Sequence, residues 1–202
     1  LTFALYDYLA NSKQKKVKVE GIEYRSDLVD LCNKIALDSN FSGLEFKQGT
    51  IQEYTSKADI FIALHACDTA TDDAIYKGIK GDAKLIVVAP CCHKQIRREM
   101  EKGEGDDVLS LITSHGILLE RQSEMVTDAL RSLYLEYMGY KTKVFQFISD
   151  SHTPKNVMIV GTKRSASEQL NTDRRSEIKN QILQSLEFFG IRYHELGKLL
   201  EF

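Results

Sequence analysis

Two stretches of the 202-residue chain hold most of the groups able to do chemistry. One reads Asp-Ile-Phe-Ile-Ala-Leu-His-Ala-Cys-Asp-Thr-Ala-Thr-Asp-Asp from Asp59 to Asp73, the other Leu-Ile-Val-Val-Ala-Pro-Cys-Cys-His from Leu85 to His93. In each, an apolar run of strand length ends in cysteine and histidine. An imidazole titrates close to neutrality and can take a proton from an acceptor group. His65 is therefore the first candidate for a general base, with Cys67, Asp68, Cys92 and His93 beside it as further catalytic candidates. Sulfur and imidazole donors at His65, Cys67, Cys91, Cys92 and His93 also make a competing reading, tetrahedral metal ligation. No Cys-x-x-Cys pair occurs and the spacing is not that of a zinc finger, so no metal site is assigned. In a third reading Cys91 or Cys92 is a small buried apolar residue.

The elements that must position these groups follow from local pattern. The runs 60–64 and 84–89 read as strands buried on both faces of a parallel sheet, and Pro90 stops the second because it cannot donate to a ladder. Thr69 with Asp72 resembles a capping box opening the intervening helix. Upstream, 18–23 and 44–48 read as short strands, with a helix between them capped by Ser26 and buried through Leu28, Leu31, Cys32 and Ile35. Downstream, the charged segment 94–107 reads as a polar excursion, mobile or helical, and 108–114 as a short helix. Ser123 is the expected cap of a long helix that Gly139 ends. Strands at 142–148 and 156–162, joined by a polar loop, read as an antiparallel pair. A last helix carries Ile178, Ile182, Leu186 and Phe189. The expected fold class is α/β, a doubly wound, mostly parallel sheet with a C-terminal antiparallel strand pair. Residues 1–163 form the main domain and 164–202 a helical extension.

Composition restricts the possibilities. Hydrophobic residues make up 43% and charged residues 28%, an ordinary globular balance. Lys and Arg number 27 against 29 for Asp and Glu, so no global basic field draws the chain to nucleic acid. Local basic runs remain at Lys13, Lys15, Lys16 and Lys18 and at Arg97 and Arg98. No apolar run approaches the roughly 20 residues that span a bilayer, and a cytoplasmic location with reduced thiols is expected. His115 and His194 read as surface or cap residues, and the loop with His152 either as a proline-fixed connection or as an acceptor-side loop whose Lys155 and Asn156 contact substrate.

With Glu23 closing a strand, the Gly-Thr-Ile turn at 49–51, the Leu-His-Ala-Cys-Asp motif and the Pro-Cys-Cys-His motif, residues 1–163 resemble class I S-adenosylmethionine-dependent methyltransferases. They are similar in particular to a methyltransferase-like subgroup related to transfer-RNA ribose methyltransferases. The resemblance implies a Rossmann-like fold and S-adenosyl-L-methionine as cofactor. It places Glu23, with Tyr24 beside it, at the ribose, Thr50 and Ile51 at the adenine, and Leu64 and His65 at the methionine portion. Thr50 departs from the family's usual aspartate. The glycine-rich cofactor loop of the family would precede Leu1, and an upstream segment is expected. The implied acceptor is RNA first and a protein side chain second. A non-catalytic nucleoside- or partner-binding domain is the alternative.

Overall fold

The computed structural model describes residues 1–64, 66–103, 105–149, 151–153 and 155–202. His65, the first catalytic candidate, lies outside them. Two compact units divide the chain, Leu1–Tyr54 and Thr55–Phe202, each with its own sheet.

In the first unit, helix α1 (Thr2–Asp7) runs on into a π-helical turn, Tyr8–Ser12. Strands β1 (Val19–Glu23) and β2 (Leu44–Gln48) pair in parallel, with Glu23 opposite Gln48. Parallel neighbours need a crossover rather than a hairpin, and α2 (Ser26–Asp38) supplies it. Tyr6, Ala36 and Leu44 form a small core with Phe3, Phe41 and Phe46 packed against it.

Helix α2 is rotated from the expected stripe. Leu31 and Ile35 are exposed, whereas Val29 and Ala36 are buried. Asn33 accounts for the rotation, because its amide donates to the Phe46 carbonyl and accepts from the Phe46 N–H, both at 2.8 Å. Residues 29, 33 and 36 share one helical face, so turning that face inward satisfies backbone groups on the β2 edge. Ser26 is the first helical residue rather than its cap, a position taken by Arg25.

The second unit holds β3 (Ile60–Leu64), β4 (Leu85–Ala89), β5 (Tyr140–Gln146) and β6 (Val157–Lys163) in the spatial order β3-β4-β6-β5. β3 and β4 are parallel, joined through α3 (Thr69–Lys80). β6 runs antiparallel to both β4 and β5, giving the expected terminal strand pair. Helices α4 (Lys94–Lys102), α5 (Ser110–Thr113) and α6 (Gly116–Tyr137) lie between β4 and β5 in the chain. Of the two readings of the charged segment 94–107, the helical one holds over Lys94–Lys102.

Helices α3 and α6 cover the same face of this sheet. A Cβ on Gly78 of α3 would sit 2.8 Å from the Ile86 side chain. Gly161 lies directly opposite Ile86, and a Cβ there would meet Leu135 of α6 at 3.2 Å. The other face is more open: Ile60, Ile62 and Leu64 are 36–40% exposed, alternating with half-buried Phe61 and Ala63. Among the described residues β3 is therefore buried on one face, where both faces were expected.

Helix α6 begins seven residues before Ser123, which is buried in its middle and donates to the Glu120 carbonyl. Gly139, at φ +90°, stops the helix as expected. The segment beyond residue 163 packs into the main core: α7 (Thr172–Phe188) and α8 (Glu195–Leu199) bring Ile178, Ile182 and Leu196 to it. The architecture is α/β and Rossmann-like, with parallel pairs linked by helices and a C-terminal antiparallel pair.

Candidate functional site

At the carboxyl end of the first unit's parallel pair, Glu23 and the 49–51 turn come side by side. The Gly49 N–H donates to the Glu23 carbonyl at 3.1 Å. One Glu23 carboxylate oxygen accepts from the Arg25 N–H at 2.9 Å, which orients the group and leaves acceptor capacity for a ligand hydroxyl. Tyr24 is 74% exposed, and its carbonyl accepts from Gln48. The Thr50 hydroxyl donates to Glu53 at 2.9 Å, so it can face a ligand only as an acceptor.

In the second unit, Leu64 ends β3 with its side chain on the open face. Past the ends of β3 and β4 the structure brings Cys67, Cys91 and Cys92 together. Their sulfurs are separated by 3.7 Å for Cys67 and Cys91, 3.7 Å for Cys91 and Cys92, and 3.8 Å for Cys92 and Cys67. Burial, aided by the neighbouring thiols, pushes the Cys91 thiol up to about 12. Left to these surroundings it is protonated at neutral pH and is no nucleophile.

Asp68 joins the two loops. Its backbone takes φ +53°, uncommon for a non-glycine residue. Its side chain does not cap α3; it accepts from the Gln95 N–H at 2.9 Å, in the first turn of α4. A carboxylate there also suits the helix dipole. The capping box expected from Thr69 and Asp72 does not form, because Asp72 is buried and engaged elsewhere.

That engagement is a buried ionic network. Arg131 of α6 donates two hydrogen bonds of 2.9 Å to the Asp72 carboxylate. It also reaches Asp128 at 3.3 Å and the Asp68 carbonyl at 3.0 Å. Burial opposes the Arg131 charge, but the Asp72 and Asp128 carboxylates outweigh it and hold the guanidinium above its usual pKa. His93 belongs to this network rather than to the thiol cluster: its Nε2 lies 3.1 Å from Asp128. Its Nδ1 is buried, has no hydrogen-bond partner among the described residues and sits 4.0 Å from Glu124.

His194 is fully buried where a surface or cap residue was expected, although it does cap α8 by accepting from the Leu196 N–H. Burial lowers its pKa to about 4, so the ring is neutral.

A cleft of about 500 Å³ adjoins the network, lined in part by Pro90, His93, Glu124, Asp128, Val144 and Lys155. Its size suits a small ligand. Lys155 pairs with Glu124 in its wall. Asn156, buried, ties its own loop by donating to the Ile148 carbonyl at 2.7 Å. Arg131 and Asp128 are not singled out by the sequence pattern, and Asp72 and His194 read there only as capping or surface residues. The available signal was an Asp-x-x-Arg pair lying inside the apolar stripe of α6.

The comparisons with known proteins bear on the first half of the chain most directly. Residues 1–99 match a family described as a methyltransferase domain. Curated relatives from Homo sapiens and Bos taurus, each called glutathione S-transferase C-terminal domain-containing protein, are 28% identical over 141 residues, covering 59% of this chain. The matched region spans only 22% of those relatives' length. Among solved structures, the N-terminal domain of EvdMO1 with SAH bound gives a TM-score of 0.45 at 13% identity, covering 78% of this chain and 70% of that one. The YcgJ protein from Bacillus subtilis gives 0.38 at 10% identity, covering 74% and 83%.

Proposed function

We propose that this chain is part of a class I methyltransferase that uses S-adenosyl-L-methionine, with RNA as the acceptor and a protein side chain as the second choice. The observation that carries the reading is the match of residues 1–99 to a methyltransferase-domain family. Glu23, oriented by the Arg25 N–H, fits the two ribose hydroxyls, which an ionised carboxylate can accept together. Thr50 accepts at the adenine edge, and Ile51 offers apolar surface beside it. When bound, the cofactor supplies a sulfonium-activated methyl group for in-line displacement, a reaction in which positioning does much of the work. His65 is assigned the acceptor proton. Cys67, Asp68, Cys92 and His93 shape and hold the loops after β3 and β4. The exposed lysines at 13, 15 and 16 support a polyanionic acceptor. No described helix is long and apolar enough to cross a membrane, and a cytoplasmic location is part of the proposal.

Calorimetric titration of the full-length protein with S-adenosylhomocysteine tests this reading. Glu23→Ala should weaken binding about tenfold or more, in line with the loss of charge-assisted hydrogen bonds of 1.5–3 kcal/mol. Absence of heat with the unsubstituted protein, at concentrations up to millimolar, removes the cofactor and the function with it.

A further inference from the structure

We propose that Cys67, Cys91 and Cys92 form a three-thiolate zinc site that ties the end of β3 to the end of β4. β3 and β4 are parallel neighbours in register from Ile60 with Leu85 to Leu64 with Ala89, so residues 67, 91 and 92 leave the sheet at the same end. Their sulfurs stand at the corners of a nearly equilateral triangle with sides of 3.7–3.8 Å. Four ligands placed tetrahedrally about zinc at 2.3 Å would have edges of about 3.8 Å.

Apolar packing does not explain the triangle, because Cys67 is exposed and the other two are only partly buried. Disulfide bonding does not explain it either, since each separation far exceeds the ~2 Å of a sulfur–sulfur bond. Three sulfur donors select a thiophilic ion over calcium or magnesium, which take oxygen ligands. Among the described residues these three make up the whole ligand cluster. His93, whose ring is engaged with Asp128, is not part of it. The loop carrying Cys67 is held in advance: Asp68 is fixed through its carboxylate to Gln95 and through its carbonyl to Arg131.

The site is independent of the cofactor reading and is tested without turnover. Full-length protein, purified under reducing conditions without chelator, should contain about one zinc per chain. The variants Cys67→Ser, Cys91→Ser and Cys92→Ser should each lose at least tenfold in zinc affinity, while Cys32→Ser keeps it. Cobalt exchanged into the unsubstituted protein should give intense sulfur-to-metal charge-transfer absorption and a tetrahedral visible band. Should the serine variants fail to fold, alkylation of the unsubstituted protein still decides: zinc should protect Cys67, Cys91 and Cys92 and leave Cys32 equally reactive. Substoichiometric zinc together with no cobalt spectrum, or alkylation indifferent to zinc, overturns the site.

Discussion

At the residue scale, Arg131 contributes most to the arrangement of the site. Its guanidinium, 1% exposed, holds Asp72 on α3, Asp128 on its own helix and the Asp68 carbonyl in the loop after β3. Removing one partner of a buried ionic set leaves the others charged and unsatisfied, a loss of about 3–5 kcal/mol. Arg131→Met should cost that much in urea denaturation. A loss below about 1 kcal/mol would mean that the two aspartates find other partners or take up protons. His194 makes a different prediction. Its folded pKa is about 4 against a usual 6.5, chiefly through burial, and it faces Asp72, Asp128 and Arg131. As pH falls below 6.5 the unfolded chain takes up this proton before the folded chain does. Stability is therefore complete above about 6.5 and declines toward pH 4, by on the order of 3 kcal/mol. His194→Asn retains an acceptor for the α8 cap but cannot titrate. Its stability should fall less steeply over that window when followed by denaturant unfolding at several pH values.

At the element scale, α2 illustrates how one polar residue can override an amphipathic stripe. Leu31 and Ile35 point outward while Asn33 makes two hydrogen bonds of 2.8 Å to the backbone of Phe46. Leaving two partly buried backbone groups unpaired costs roughly 1–3 kcal/mol each, comparable to the ~1.5–3 kcal/mol from burying a Leu or Ile side chain, and Val29 and Ala36 stay buried on the face that carries Asn33. Asn33→Ala should destabilise the first unit by roughly 1–3 kcal/mol for each group left unpaired, and hydrogen exchange at the Phe46 amide should quicken. An unchanged Phe46 exchange rate would show that the pairing does not set the helix face. Helix α6 shows the converse: Ser123, the expected cap, satisfies its hydroxyl on the Glu120 carbonyl and stays in the interior.

At the scale of the whole molecule, two compact units meet in the chain at residues 54–55. The methyltransferase-domain match, residues 1–99, takes in all of the first unit and the β3-α3-β4 part of the second. The connecting segment after Tyr54 has no regular secondary structure before β3, and Lys57 within it is exposed. Flexible, exposed connections are preferred sites of nicking. Brief trypsin treatment should therefore cleave after Lys57 early, leaving a fragment from Ala58 onward that keeps the α6 and α7 core intact. Mass spectrometry reads the outcome, and early cleavage inside α6 instead would contradict the division.

The sequence by itself determined the strand positions, the antiparallel terminal pair and the gathering of cysteines at strand ends, because apolar runs, Pro90 and Gly139 act locally on the backbone. Glu23 and the 49–51 turn were legible as neighbours for the same reason: a parallel pair joined by one helix puts both strand ends on one side. Tertiary structure alone decided the triangle of sulfurs, which requires the register of β3 against β4. It also decided the Arg131 network, whose partner Asp72 lies 59 residues away in sequence. Periodicity reports which positions are apolar. It carries no information about which buried polar groups find each other, and that pairing arranges the loops after β3 and β4.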